Sequence, residues 1–288
     1  MKLPLSVIIL TYNEEKNIEG CLKSIYGWAN EIFIVDSHSS DKTLETANKF
    51  TEKIYQNRFE SYAGQRNWAL NNLPIAHDWV FFLDADEYIT GELKKEIEEV
   101  LPVTDCDGVY IKRRFYFMGR WIRHGGYYPT WILRLFKKEK AVVVRDINEF
   151  VDVEGKAGYL KNDFVDDNKK GITEWIAKHN RYADYEAMEL VKAKEKGQRI
   201  KDKGEKGGGE SAKLFGNQAQ RKRWIRQYIW NPLMPPLIRP FIYFIYRYFF
   251  RLGFLDGKEG FIYHFLQGLW FPFLIDVKYI EMKRRNNR

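Results

Sequence analysis

Trp79–Thr90 reads WVFFLDADEYIT: a run of residues suited to a buried strand that ends directly in Asp84, Asp86 and Glu87. Clustered carboxylates repel one another and resist burial. A strand ending this way implies a neighbour that wants negative charge. The surroundings show what kind of strand it is. LSVIIL (5–10), EIFIVDS (31–37) and KIYQN (53–57) are short apolar strand signals, and DWVFFLD is the fourth. Between them lie Ile18, Leu22 and Ile25 at helical spacing, then SSDKTLETANKF, with Ser39, Ser40 and Asp41 suited to cap a helix, and then YAGQRNWALNNL. TGELKKEIEEVL follows the acids as a further helix, with carboxylates in its first turn where the helix dipole favours them.

Strands separated by single helices predict an α/β fold with a mostly parallel central sheet and right-handed crossovers. Ligands of such sheets bind beyond the carboxyl ends of the strands. Three of those ends carry polar clusters: TYNEE (11–15), DSHSSD (36–41) and DADE (84–87).

The chain has 288 residues, enough for one large α/β domain with an appendage. Two cysteines, Cys21 and Cys106, give neither a disulfide framework nor a metal-type spacing, which favours a reducing compartment. The first residues, MKLPLSVIILTYNEE, read as a strand rather than a signal peptide. From about 108 the pattern turns to strand-like runs, and a helix is expected over roughly 171–196. Residues 196–213, rich in Gly and Lys, read as a linker or loop. The expected organisation is a catalytic domain over 1–195, with a nucleotide-binding half (1–105) and an acceptor half (106–195), and a basic aromatic helical region over 214–288.

Asp84 and Asp86 lie two apart after a strand, so both can face one side. At that spacing they could hold a hard divalent cation together with phosphate oxygens; the alternative is a polar loop that caps the next helix. With Ser39, Ser40 and Asp41 supplying a cap, Asp36 is left for a nucleobase or ribose. Tyr12 could stack on a base, or be an ordinary turn tyrosine. Arg66 could reach a phosphate, or be a solvated arginine.

Together, SVIILTYNEEKNIEGCLKSI, EIFIVDSHSSDKT, GQRNWAL and WVFFLDADEYI resemble the family 2 glycosyltransferases, inverting enzymes of GT-A fold that use nucleotide-activated sugars. RWIRHGGYYPTWILRLFKK, KHNRYADYEA and RLGFLDGKEGFIYHFLQGLWF are similar to a bacterial subgroup that builds lipopolysaccharide cores and exopolysaccharides. The resemblance implies that Thr11, Tyr12, Glu14, Asp36, Arg66 and Asp84 bind the nucleotide, with Asp84 nearer the ribose. It implies that Asp86 is the principal ligand of Mg²⁺ or Mn²⁺, with Glu87 orienting the loop, and that Glu149 in RDINEF is the general base. An inverting transfer needs one such carboxylate to take the acceptor's proton. Two positions depart from the subgroup: Asn148 and Asp166 each stand where it usually has His. Asp166, an oxygen donor, could still ligate a hard cation.

Residues 1–210 carry 33 Lys and Arg against 35 Asp and Glu, net −2; residues 211–288 carry 14 against 4, net +10. RPFIYFIYRYFFRLGF (239–254) sets Arg239, Arg247 and Arg251 among aromatics. GFIYHFLQGLWFPFLI (260–275), which includes Trp270, would be roughly 24 Å long as a helix, against a hydrocarbon core of about 30 Å. Aromatics with arginine suit the headgroup boundary, whereas packing on the catalytic domain is the plainer alternative. Bulky rings mixed with Leu and Ile fit base stacking poorly, so no nucleic acid is expected. The reading is a peripheral or monotopic enzyme at the cytoplasmic face of the inner membrane. It moves a sugar from a nucleotide-sugar, UDP being the expected carrier, to a lipid-linked or lipopolysaccharide acceptor. The alternatives are a nucleotidyltransferase, which would carry a Gly-rich basic loop in place of TYNEEKN, and a non-catalytic membrane-binding module.

Overall fold

A computed structural model describes residues 2–144, 150–195 and 234–286. The chain forms two compact units, one of residues 1–116 and 129–169, the other of 117–128 and 170–288.

In the first unit, β1 (Leu3–Thr11), β2 (Ala29–Asp36), β3 (Ile54–Gln56) and β4 (Trp79–Asp84) are the four expected strands. Helices α1 (Ile18–Ile25), α2 (Thr43–Ala47) and α3 (Tyr62–Asn72) connect them. The later strands are β5 (Glu87–Ile89), β6 (Gly108–Phe117), β8 (Thr130–Lys137), β9 (Ala141–Val144), β10 (Phe150–Val153) and β11 (Ala157–Asp166), with α4 (Gly91–Val100) between β5 and β6. The main sheet runs β3-β2-β1-β4-β8-β6-β11-β5. Its first four strands are parallel, β8 is antiparallel to both β4 and β6, and β11 is parallel to β6.

The central strands are apolar without a break because both faces are covered. Val7, Ile9, Phe81 and Leu83 pack under α1 and α4, while Ile8, Phe33, Val80 and Phe82 pack on the other side with α3 and the β9–β10 pair. The caps differ in how well they follow the sequence. Ser61 Oγ accepts the Gly64 amide to start α3, and Thr90 Oγ1 accepts that of Leu93 to start α4. Of the residues expected to cap the helix after β2, Asp41 does so, its Oδ1 accepting the Thr43 amide at 3.0 Å. The helix shrinks to Thr43–Ala47, and its Ncap residue Lys42 makes no side-chain cap.

The second unit does not divide at residue 195 as the composition suggested. Segment 117–128, which includes the short β7 (Arg120–Trp121), and α5 (Ile172–Glu195) group with the C-terminal helices instead. The contacts explain why. Lys278 pairs with Asp184 of α5 at 2.6 Å, and Asp256 accepts the His124 amide at 2.9 Å and faces His124 Nδ1 at 2.6 Å. The C-terminal part comprises helix Arg239–Ile245, a π-helical turn Tyr246–Phe250, a 3-10 turn Gly253–Asp256, helix Gly257–His264, a second π-helical stretch Phe265–Trp270 and helix Phe271–Asn286. Among the described residues no helix is long and apolar enough to cross a membrane. The Gly- and Lys-rich segment 196–213 lies outside the described residues.

Candidate functional site

The parallel register lines up the polar strand ends: Thr11 of β1 is opposite Asp36 of β2, and Leu10 is opposite Asp84 of β4. The two flanking turns are laced together. Ser39 Oγ accepts the Asn13 amide at 2.8 Å, Asn13 Oδ1 accepts the Ser40 amide at 2.8 Å, and Thr43 Oγ1 accepts the Glu14 amide at 2.7 Å. Asn13 reaches this position with φ +52°, a left-handed conformation that Asn tolerates well.

Within this frame the expected residues take different positions. Tyr12 is exposed just beyond the end of β1. Thr11 is buried and donates to Asp36 Oδ1 at 2.9 Å, so it acts on Asp36 rather than on solvent. Asp36 is not left free by a separate cap. It is fully buried, and its carboxylate itself closes the turn, accepting the Ser39 amide at 2.8 Å and the Ser39 hydroxyl at 2.5 Å. Glu14 accepts Asn17 Nδ2 at 2.7 Å, which steadies the entry to α1.

The DADE segment gives the largest correction. Arg66, expected to point at a phosphate, is buried and donates to Asp84 Oδ1 at 2.6 Å. The other oxygen, Oδ2, accepts from Arg134 at 2.8 Å. Asp84 is therefore held between two guanidinium groups, which supply the positive partner its position demanded. Arg134 also pairs with Glu87, a fully buried carboxylate whose other oxygen accepts the Asp84 amide at 2.9 Å. Burial drives the Glu87 pKa up against the pull of Arg134, with Asp84, Asp166 and Asp86 adding to the rise. Glu87 thus fixes the turn from inside, and β5, only three residues long, pins it to β11 with Asp166 opposite Glu87.

Arg134 was not singled out in the sequence, where WILRLFKK reads as an ordinary strand. It reaches the acids through a β-bulge: Val109 pairs with Leu135 and Tyr110 with Leu133, so Arg134 is the extra residue. Bulges re-aim side chains in this way beside functional sites. Asp166, expected beside a cation, accepts from Arg113 at 3.2 Å, so a guanidinium already offsets its charge.

Asp86 differs from the other acids. It is half-buried, and its Oδ2 accepts from Asn168 at 2.7 Å; among the described residues Oδ1 has no hydrogen bond. The Asp86 carbonyl accepts the Asp167 amide at 2.9 Å, which orients the residue. Among the described residues, no three His, Cys, Asp or Glu side chains gather as a metal cluster. The donors present fit a cation of Mg²⁺ type, which uses one or two carboxylates, substrate phosphates and water. They do not form a cage made by protein alone. Cys21, from α1, donates its thiol toward the Asp84 carbonyl at 3.5 Å; burial raises its pKa well above the ordinary thiol value, so it is inert packing.

Asn67, next to Arg66 on α3, donates to the Val143 carbonyl at 2.7 Å and accepts its amide at 2.9 Å. This bidentate clasp anchors β9, which pairs with β10 up to Val144 opposite Phe150. The expected base Glu149, with Asn148, lies outside the described residues.

Of the expected lipid-facing residues, Arg247 and Arg239 are corrected. Arg247 is buried, donates to the Gly125 carbonyl at 3.1 Å and lies over the rings of Tyr127, Tyr243 and Tyr263. Arg239 is bound to Asp276, itself fully buried. Each cation is partnered inside its own unit, Arg239 by a buried carboxylate and Arg247 by a carbonyl and three tyrosine rings. Trp270 is half-buried and tilts against Trp175, ring centroids 6.4 Å apart. Arg251 is exposed.

The chain is similar to proteins of known family. Lipopolysaccharide core biosynthesis glycosyltransferase LpsC of Rhizobium meliloti (strain 1021) is 31% identical over 206 residues, 67% of this chain and 73% of that protein. Among solved structures, Staphylococcus aureus TarS 1–349 aligns over 100% of this chain and 92% of its own, with 15% identity and a TM-score of 0.46. Mycobacterium tuberculosis glucosyl-3-phosphoglycerate synthase, solved with Mg²⁺ and UDP, aligns over 38% of this chain and 43% of its own length, with 20% identity and a TM-score of 0.32. Residues 6–179 match the family described as Glycosyl transferase family 2, and the chain belongs to that family.

Proposed function

We propose that this glycosyltransferase transfers a sugar, with inversion, from a nucleotide-sugar to a lipid-linked saccharide or lipopolysaccharide-core acceptor at the cytoplasmic face of the inner membrane, with UDP as the carrier and a divalent cation as cofactor. The observation that carries this reading is the alignment of Thr11, Asp36 and Asp84 at one carboxyl edge, with Asp86 beyond them offering an uncommitted oxygen. Tyr12 supplies a ring face for the base, and Asp36, held by Thr11 and Ser39, presents fixed polarity next to it.

The roles within DADE separate by environment. Arg66 and Arg134 hold Asp84 oriented towards the ribose side. Asp86 would ligate the cation, and Glu87 braces the turn between them. The cation, when bound, supplies charge to stabilise the departing diphosphate. Glu149 takes the acceptor hydroxyl's proton as that oxygen attacks the anomeric carbon. A single proton acceptor suffices because inversion forms no covalent sugar–enzyme intermediate.

The test is to present the protein with a panel of labelled nucleotide-sugars, Mn²⁺ and a lipid-linked acceptor fraction, and to follow transfer and donor hydrolysis. UDP-sugars should be consumed, and Glu149→Gln should lose transfer while still binding donor. Transfer by Glu149→Gln at the wild-type rate would overturn the assignment of the base.

A further inference from the structure

The helical run 238–250 is built with its polarity reversed. Ile238, Phe241, Ile242, Ile245, Tyr246, Phe249 and Phe250 are all exposed, Phe250 to 75%. Their spacing of three and four makes one continuous stripe on the outer face. The two arginines of the same run, Arg239 and Arg247, point inward to Asp276 and to the tyrosine cage. A helix bathed in water puts its cations outside and its aromatics inside.

The stripe continues into a turn at 251–255, where Leu252, Phe254 and Leu255 are exposed beside exposed Arg251. Leu252 holds φ +59°, a left-handed conformation unfavourable for leucine, and keeps its side chain in solvent. Both features cost stability, and the structure beneath enforces them. The Gly125 amide donates to the Arg251 carbonyl at 2.8 Å, and Arg247 holds the Gly125 carbonyl from the other side. Asp256 accepts the His124 amide and faces its Nδ1, and a side chain on Gly253 would collide with the His264 ring at 2.6 Å. A buried polar scaffold thus holds an apolar turn out from the protein. Strain maintained in this way marks a functional segment.

We infer that stripe 238–250 and turn 251–255 form a rigid membrane-docking surface that lies in the plane of an anionic bilayer. Its aromatics enter the acyl boundary, and Arg251 meets lipid phosphate. The run Arg239–Phe250 is about 18 Å long at ~1.5 Å per residue, too short to span and suited to lying flat. The partner is a bilayer rather than a protein because the only charge the segment exposes is the cation Arg251, and residues 211–288 carry net +10. An exposed apolar surface with a basic margin matches anionic lipid. This rests on the membrane-face reading above and replaces Arg239 and Arg247 as its contacts.

The experiment is flotation of full-length protein with vesicles of phosphatidylcholine alone or with about one third phosphatidylglycerol, alongside light scattering without lipid and donor hydrolysis in the same preparations. Wild type should float with the anionic vesicles. Phe250→Asp should reduce the bound fraction roughly tenfold or more, as expected for losing one buried aromatic, and Leu252→Ser should act in the same direction. Both residues are exposed, so folding, followed by thermal melting, should hold. Wild type that does not float, a Phe250→Asp variant that floats like wild type, or a lipid-independent dimer dissociated by Phe250→Asp would each overturn the proposal. Loss of donor hydrolysis with flotation intact would count against the transferase reading alone.

Discussion

Both units bury charged side chains, but to opposite ends. In the first unit the buried Arg66, Arg134 and Glu87 converge with the partly exposed Asp84 on one edge of a sheet whose two faces are otherwise apolar. The buried charges hold a turn whose outward residue, Asp86, is polar. In the second unit Arg239, Arg247, Asp256 and Asp276 sit beneath a surface whose outward residues are Phe, Ile and Leu. Buried ion pairs rarely add net stability. In each place they orient a neighbouring segment, and what that segment presents outward differs: a carboxylate in the first unit, aromatic and aliphatic side chains in the second.

The largest effect expected is on the ligand site. Asp86→Ala removes a carboxylate whose Oδ1 can meet a cation, and kcat/KM for sugar transfer should fall about a thousandfold or more. Fold stability, read by thermal melting, should stay near wild type, because Asp86 is only half-buried and among the described residues no arginine pairs with it. A variant that retains transfer and loses stability would mean that Asp86 belongs to the bracing group instead.

Arg134 tests the bracing itself. Arg134→Met leaves Glu87 buried without its cation and should cost about 3–5 kcal/mol in urea unfolding. The double variant Arg134→Met/Glu87→Leu should recover much of that loss, since an apolar pair of similar volume replaces a buried ionic one. The double variant should still bind nucleotide weakly, because Asp84 loses one of its two guanidinium partners.

Arg134 also marks the limit of what the sequence made legible. The strand ends were readable because β1, β2 and β4 are covered on both faces and appear as apolar runs that stop at polar residues, Thr11, Asp36 and Asp84. The direction of Arg134 depends on a bulge against β6, whose partner residues lie more than twenty positions away. The role of Glu87 depends on a three-residue strand that pairs with β11, far along the chain. Neither leaves a local pattern. Asp36 was misjudged for a different reason: Ser39, Ser40 and Asp41 could all cap a helix, and only the folded turn decides that Asp36 takes Ser39. In the second unit nearly every residue of 238–250 is apolar or aromatic, so the helical period has little contrast and could not show which way Arg239 and Arg247 faced. Both arginines turned inward because partners existed there.

His179 extends the comparison to pH. It stacks on Trp175 with ring centroids 3.5 Å apart, and its Nδ1 lies 2.8 Å from the Trp175 carbonyl. Burial, partly offset by that carbonyl, lowers its pKa to about 4. The folded state therefore resists a proton that the unfolded chain accepts near pH 6.5. Stability is unaffected at pH 7 and falls as pH drops from about 6.5 toward 4, by about 1–2 kcal/mol at pH 5 after allowance for the ring's partial exposure. Urea unfolding at pH 7 and pH 5 measures it, and His179→Gln should flatten that share of the difference. An unchanged pH slope in the variant would place the acid sensitivity elsewhere.

The smallest effect should be the most direct probe of why the second unit holds its turn as it does. Leu252→Gly removes both the left-handed strain and the exposed side chain. The strain relieved is about 1–2 kcal/mol, and glycine returns about 0.5–1 kcal/mol of it by loosening the unfolded chain. The folded protein should therefore be unchanged or up to about 1 kcal/mol more stable. Vesicle binding should weaken in the same variant, because an apolar contact is gone. Opposite signs for stability and binding are what a segment strained for docking requires. If both fell together, Leu252 would be packing the unit rather than facing a bilayer, and the contrast between the two regions would reduce to a difference in composition.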